Sequence, residues 1–200
     1  GLNKYVEGRE IGEIWGLQTI GIAKSEEEMQ AHLSSLPKGG QEAIGSKWSA
    51  GDIMYRDLNG DGKISKGAST LDDHGDLKVI GNSTPRYFFG IDLNADWKGF
   101  DVRLFFQGVM KRDYWGKDNF CGYLFGARGD KDMWHARGLV EHQDYFRAQA
   151  IGIDGHELPA NLDAYYPRPV FKEGAKNQET QSRYLQDASY IRLKNFQLGY

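Results

Sequence analysis

The sequence is poor in several features that define common classes of protein. Cys121 is the only cysteine among 200 residues, which excludes an internal disulfide and a cysteine-based zinc site. No apolar run approaches the roughly 20 residues of a membrane-spanning helix. The net charge of -3, without a basic cluster between aromatic residues, argues against a nucleic-acid partner. The sequence also lacks triad, P-loop and dinucleotide-binding signatures, so it predicts no catalytic residues.

Glycine and aromatic residues, by contrast, are abundant. The chain has 26 glycines and 13% Phe, Trp and Tyr, a composition that favours an all-β fold with large loops. Only one segment predicts a helix. Ser25 and Glu28 have the spacing of a capping box, Met29 and Leu33 begin an apolar face, and Pro37 ends the pattern. We expect this short helix to lie within a loop.

Two neighbouring segments alternate between apolar and polar residues. In 87–97 the odd-numbered positions are apolar, and in 100–108 most of the even-numbered positions are. Because only Lys98 and Gly99 separate the two segments, we predict an antiparallel hairpin over residues 86–109. One face would be apolar, and the other would carry Asp92, Asn94, Asp96, Asp101, Arg103 and Gln107.

A third strand is predicted over residues 190–200. Ile191 and Leu193 share one parity, whereas Phe196 and Leu198 share the other. A β-bulge near Lys194 would bring both pairs onto one face.

The connections differ greatly in length. Long segments, 7–85 and 110–189, flank a hairpin whose own turn has two residues. Outer-membrane barrels have this asymmetry, with short periplasmic turns and long extracellular loops. A soluble antiparallel sandwich also has alternating strands, so the pattern by itself leaves both folds open. The second long segment is rich in aromatic residues, for which we favour packing over ligand binding and assign no ligand residue: Tyr114, Trp115, Tyr123, Phe125, Trp134, Tyr145 and Phe146.

The first long segment contains an acidic motif that predicts a calcium site. Its spacing matches the first nine positions of an EF-hand loop, in which alternate oxygen ligands converge on Ca²⁺ and a glycine permits the sharp turn. The predicted ligands are the side chains of Asp57, Asn59 and Asp61, the carbonyl of Lys63, and Ser65.

The twelfth position of the motif departs from the pattern. It is Ala68 instead of a bidentate glutamate, and Asp72 or Asp73 would have to substitute. The competing interpretation is a solvated cluster of Asx turns without an ion. If calcium binds, we expect it to stiffen the outer loop.

Several blocks together resemble a known family. They are EGREIGEIWGLQTIGI, GDIMYRDLNGDGKI, GNSTPRYFFGI and, at the end, RLKNFQLGY. Blocks of this kind occur in the same order in the C-terminal half of TonB-linked outer-membrane proteins of the SusC/RagA type. The resemblance covers the chain from Glu7 to Tyr200 and is weakest over residues 111–182.

The resemblance implies a fold, a location and partners. The whole protein would be a transmembrane antiparallel barrel of 22 strands around a plug, in the outer membrane of a bacterial cell. It would import oligosaccharides or peptides with energy from TonB, which contacts the plug, and a SusD-like surface lipoprotein would act as its lid. We therefore expect residues 1–200 to be a fragment of one barrel domain in contact with membrane lipid. The residues alone also allow a secreted, calcium-dependent carbohydrate-binding module on a soluble β-sandwich.

Overall fold

The computed structural model describes Leu2 and residues 7–116, 140–153, 155–170 and 174–200. The predictions for Tyr123, Phe125 and Trp134 lie outside these residues. The described chain falls into two compact units. The loop unit is built mainly from Trp15–Ile80 and Gly116–Tyr184, and the sheet unit mainly from Gly81–Trp115 and Leu185–Tyr200.

Strands make up most of the regular structure. In chain order they are β1 (Glu13–Leu17), β2 (Thr19–Ile22), β3 (Ile53–Tyr55), β4 (Leu77–Asn82), β5 (Tyr87–Trp97), β6 (Phe100–Met110), β7 (Asp113–Tyr114), β8 (Ile151–Ile153), β9 (His156–Leu158), β10 (Gln186–Asp187) and β11 (Tyr190–Gly199). Short 3-10 turns occupy Val140–Gln143, Gly174–Asn177 and Ser182–Tyr184. Within the described ranges, α1 (Glu26–Ser34) is the only α-helix. The all-β prediction is therefore confirmed.

The sheet unit contains an antiparallel meander of three long strands in the order β5, β6, β11. Trp97 pairs with Phe100 across the two-residue turn, and Leu93 pairs with Leu104 at mid-strand. Lys98 and Gly99 have φ values of 47° and 88°. Positive φ at both central positions is the geometry of a type I′ turn, whose twist matches that of the flanking strands. The hairpin predicted from alternation is therefore present.

The register of β11 contains the predicted bulge. Pairing with β6 shifts between Leu193 and Asn195. As a result Leu193 lies opposite Phe106 and Phe196 lies opposite Leu104, both even-numbered residues of β6. The extra residue, Lys194, brings the apolar residues of β11 onto one face.

The loop unit has its own small core. Met29 on α1, Ile53 and Tyr55 on β3, and Leu17 on β1 are fully buried. Two strand pairs of this unit are short, β2 with β3 and β8 with β9. The first long segment is thus a folded body rather than an irregular loop.

The helix α1 begins as the sequence predicts. The Ser25 hydroxyl accepts a hydrogen bond from the Glu28 N–H at 3.2 Å. The Glu28 carboxylate accepts the Lys24 N–H at 2.6 Å, one residue before the usual capping-box partner. None of the helices in the described residues is long and apolar enough to cross a bilayer.

Candidate functional site

The two faces of the three-stranded sheet differ in chemistry. We call the face with Tyr87, Leu93 and Trp97 the apolar face, and the opposite one the polar face. The register places on the polar face all six residues predicted for it: Asp92, Asn94, Asp96, Asp101, Arg103 and Gln107. The β11 residues Arg192, Asn195 and Gln197 join them. Three apolar residues, Phe88, Phe105 and Val109, also lie on this face, so it is not uniformly polar.

An ion pair crosses the polar face. The Arg103 Nε donates to Asp92 Oδ1 at 3.0 Å, and a second guanidinium N–H donates to Asp92 Oδ2. Arg103 also lies opposite Asn94 on β5 and Gln197 on β11. The composition of the polar face therefore suits contact with water or with a polar protein surface.

The apolar face is exposed on the two outer strands, β5 and β11, and partly exposed on β6 between them. Leu93, Ile191 and Phe196 are 51%, 59% and 60% exposed. In a sandwich, these positions would be covered by a second sheet. Within the part of the chain that the structure describes, no second sheet packs on them. The described residues therefore do not show the packing of two sheets that the alternative sandwich fold requires.

Aromatic rings lie at both ends of the apolar face. At the turn end, the rings of Phe100 and Tyr200 are 4.7 Å apart beside Trp97. At the opposite end is Tyr87, with the Lys111 ammonium 5.8 Å from its ring. Aromatic side chains therefore lie at each end of the apolar face and, at Phe106 and Phe196, also between the ends.

The acidic motif in the loop unit forms a tight turn around its own carboxylates. The two carboxylate oxygens of Asp57 accept the N–H groups of Gly60 and Gly62 at 2.6 and 2.8 Å. Asn59 Oδ1 accepts the Asp61 N–H, and Asp61 Oδ1 accepts the Lys63 N–H. Through these bonds, the side-chain oxygens of Asp57, Asn59 and Asp61 point towards the backbone of their own loop.

Asp76 closes this loop. Its carboxylate is fully buried. One oxygen accepts the Leu58 N–H at 2.8 Å and the other the Ser65 N–H at 2.7 Å. Asp76 therefore joins both ends of the motif, whereas Asp73 binds the Ala68 N–H. From the sequence, Asp72 or Asp73 was predicted to complete the motif, and Asp76 was not predicted.

The predicted ligands are all oxygen atoms, which hard cations such as Ca²⁺ prefer. Asp57, Asn59 and Asp61 supply oxygen ligands, and the Lys63 carbonyl and Ser65 complete the predicted set. Only two of these ligands, Asp57 and Asp61, are carboxylates. No group of three or more His, Cys, Asp or Glu side chains gathers within the described residues. The calcium site stays a prediction.

A second polar cluster lies inside the loop unit. Asp52 is fully buried. Arg168 donates to both of its carboxylate oxygens, at 3.0 and 2.9 Å, and the Lys176 ammonium donates at 2.8 Å. The Asn177 amide and the Ser49 N–H add bonds of 2.9 and 3.0 Å. We call Asp52, Arg168, Lys176 and Asn177 the Asp52 network.

Buried polar groups extend this network. Lys176 is 1% exposed. Its ammonium also donates to the carbonyls of Ser46 and Lys47 and lies 4.7 Å from the Trp48 ring. The Tyr55 hydroxyl donates to the Lys176 carbonyl at 2.7 Å. With every hydrogen of the ammonium directed at an acceptor, the network joins segments far apart in sequence.

The Asp52 carboxyl should make this unit sensitive to acid. Burial raises its pKa, but hydrogen bonds from Arg168, Lys176 and Asn177 outweigh that effect and hold the pKa below its ordinary value of 3.8. A lowered folded-state pKa stabilises the fold above pH 3.8, and that contribution is lost as the pH falls through the folded-state pKa.

We expect amide exchange in residues 47–55 to be insensitive to this carboxyl from neutral pH down to about pH 4 and to accelerate below it. Exchange at several pH values, corrected for intrinsic rates, measures this. An Asp52→Asn variant should lack this acceleration of exchange at low pH. The same acceleration in the variant would show that another group causes it.

The predicted aromatic residues of the second long segment have mixed surroundings. Phe146 is buried, and a Cβ on Gly51, where φ is 86°, would lie 2.4 Å from its ring. Tyr114 on β7 is exposed. Packing is confirmed for Phe146.

Three curated proteins are similar to the chain. The TonB-dependent receptor P3 of Formosa agariphila is 27% identical over 197 residues, which is 97% of this chain. The TonB-dependent receptor P26 of the same organism is 25% identical over the whole chain, and its TonB-dependent receptor P39 is 27% identical over 75% of it. The chain is homologous to part of a TonB-dependent receptor. No protein-family model and no solved structure matches it.

The chain spans only a small part of these receptors, 15% of the first and 16% of the second. The mainly β structure, with one short helix, is consistent with a segment of a receptor barrel. The predicted relationship to TonB-dependent receptors is confirmed.

Proposed function

We propose that the chain is part of the barrel of an outer-membrane importer that takes up large nutrients with energy from TonB. The observation that carries this is the three-stranded sheet, with one exposed apolar face between aromatic ends and one polar face. Similarity to TonB-dependent receptors over nearly the whole chain supports it. The apolar face would contact lipid, and the polar face the interior of the barrel.

The proposal gives the sheet an orientation. The turn at Lys98 and Gly99 would lie in the periplasm, since it is short. The loop unit would lie outside the cell, where a SusD-like surface lipoprotein could act as a lid. TonB would act on the plug, a separate part of the receptor. Cargo of the oligosaccharide or peptide class would cross between plug and polar face.

Cysteine labelling tests this orientation in the full-length receptor. In a Cys121→Ser background, Glu157→Cys should react with a membrane-impermeant maleimide on intact cells. Lys98→Cys should react only after the outer membrane is permeabilised. Both side chains are exposed, so access to the reagent decides the result. Labelling of Lys98→Cys on intact cells would contradict the orientation, and recovery of the receptor in the medium would favour a secreted module.

Uptake measurements test the transport function. Labelled neutral oligosaccharides and oligopeptides are offered to cells that carry or lack the receptor gene, with and without functional TonB. Import should require both. Affinity purification of the receptor should also recover a surface lipoprotein. Uptake unchanged by loss of the receptor would contradict the proposal for those cargoes.

We propose further that the motif from Asp57 to Ser65 binds one calcium ion. In the full-length receptor, calcium should slow amide exchange over residues 57–66 relative to chelator, because a ligand that binds only the folded loop stabilises it. The Asp61→Asn variant should lose this effect, whereas Asp163→Asn, which changes an exposed acid far from the motif in sequence, should keep it. Equal exchange in calcium and in chelator would leave the Asx-turn interpretation standing.

A further inference from the structure

Asn59 and Gly60, in the turn of the acidic motif, are the one asparagine–glycine pair in the sequence. Both residues are exposed. Gly60 has a φ of 72°, and a Cβ added to it would meet no atom within 4 Å. The peptide bond between the two residues is therefore open to water, and no side chain blocks the Gly60 nitrogen.

A hydrogen bond folds the Asn59 side chain back over this peptide bond. Its Oδ1 accepts the Asp61 N–H at 2.9 Å, as in an Asx turn. The bond closes a ring of atoms that includes both the Asn59 Cγ and the Gly60 nitrogen. The turn thus holds the amide carbon of the side chain near the next backbone nitrogen, instead of letting it rotate freely in solvent.

The contacts of the turn also polarise these two atoms. Asp57 Oδ1 accepts the Gly60 N–H at 2.6 Å, and a charged acceptor at this distance increases the electron density on the nitrogen. The Asp61 N–H withdraws density from the Asn59 side-chain carbonyl, as the donors of an oxyanion hole do. The Gly60 nitrogen can therefore act as a nucleophile and the Asn59 Cγ as its electrophile.

We propose that Asn59 is a site of spontaneous deamidation through a cyclic imide. The Gly60 nitrogen forms a bond to the Asn59 Cγ, the bond from Cγ to Nδ2 breaks, and Nδ2 leaves as ammonia with the proton of the Gly60 N–H. Water then opens the five-membered ring at one of its two carbonyl carbons. Opening at Cγ gives aspartate, and opening at the backbone carbonyl gives isoaspartate.

The products change the acidic motif in charge and in length. Either product adds a negative charge, so position 59 would supply a third carboxylate to the predicted calcium ligands. Isoaspartate also adds one methylene to the main chain. This shifts Gly60 and Gly62 relative to the Asp57 oxygens that accept their N–H groups. The reaction itself requires neither cargo nor a bound ion.

Mass spectrometry of the purified full-length receptor tests the site. The receptor is aged at neutral pH in chelator, and fresh receptor gives the baseline. Trypsin, which cleaves after Arg56 and Lys63, releases residues 57–63 as one peptide. Conversion at Asn59 should be faster by about tenfold or more than at Asn94, an exposed asparagine whose side chain is kept from folding back by the extended backbone of β5.

The products identify the route of the reaction. Part of the converted peptide should contain isoaspartate, which peptide fragmentation and an isoaspartyl methyltransferase distinguish from aspartate. Asn59→Gln is the matched control, because the longer side chain would have to close a six-membered ring and should stay unconverted. Equal conversion of Asn59 and Asn94 would overturn the proposal. Aspartate without isoaspartate would also overturn it, since direct hydrolysis of the amide gives aspartate alone.

Discussion

Replacement of Asp52 by asparagine is expected to destabilise the loop unit by about 3–5 kcal/mol. The variant keeps the shape of the side chain but removes the charge that compensates Arg168 and Lys176. Lys176 is 1% exposed, so its ammonium would remain inside the protein without the Asp52 carboxylate. Breaking a buried pair from one side costs far more than the pair contributes, because the remaining charge is desolvated.

Hydrogen exchange on the full-length receptor measures this effect locally. Peptides that contain residues 47–55 and 174–184 should lose protection in Asp52→Asn. Asp163→Asn is the control, because Asp163 also pairs with a lysine, Lys24, but its side chain is 84% exposed. Water and salt screen an exposed pair, so this variant should exchange almost as wild type does. Equal protection in the two variants would contradict a stabilising role for the Asp52 network.

Replacement of Leu93 by arginine is expected to destabilise the assembled barrel by about 2–4 kcal/mol if the apolar face contacts lipid. Leu93 lies near the middle of β5 and opposite Leu104, so the proposed orientation places it near the bilayer centre. An arginine there must either carry its charge into hydrocarbon or distort the bilayer to reach the headgroups.

Asn94→Arg is the matched control. Asn94 follows Leu93 directly, and therefore has nearly the same depth, but it lies on the polar face. Its neighbour across the strands, Arg103, is already paired with Asp92, which limits repulsion of a second arginine. Urea titration of the full-length receptor refolded into lipid vesicles compares the two. Equal losses of stability, or a larger loss for Asn94→Arg, would contradict the assignment of the faces.

The strands of the sheet unit could be predicted because their signal is local. Side chains of a strand alternate with period two, so the residues from Tyr87 to Trp97 identify both faces without knowledge of any partner. Lys98 and Gly99 determine the turn in the same way. The change of parity around Lys194 was enough to predict the bulge, and Ser25 with Glu28 predicted the start of α1.

The interior of the loop unit could not be predicted in this way. Asp52 resembles any acidic residue in a glycine-rich connection. The side chains that bind its carboxylate, however, lie 116 to 125 residues away in the sequence. Nothing in the spacing of Arg168, Lys176 and Asn177 indicates that they converge. Asp76, the closing residue of the acidic motif, could not be predicted for a related reason. The EF-hand spacing predicts the last ligand near the twelfth position, and this favours Asp72 or Asp73 over Asp76.

Local patterns in the sequence are therefore enough to predict the all-β class, the hairpin with its two faces, the bulge and the resemblance to TonB-linked receptors. Tertiary contacts were needed to show that the first long segment forms a packed unit around the Asp52 network and that Asp76 holds both ends of the acidic motif. Periodicity and capping act between residues a few positions apart. Burial of a charge depends on which distant segments can supply its partners, and folding alone brings those segments together.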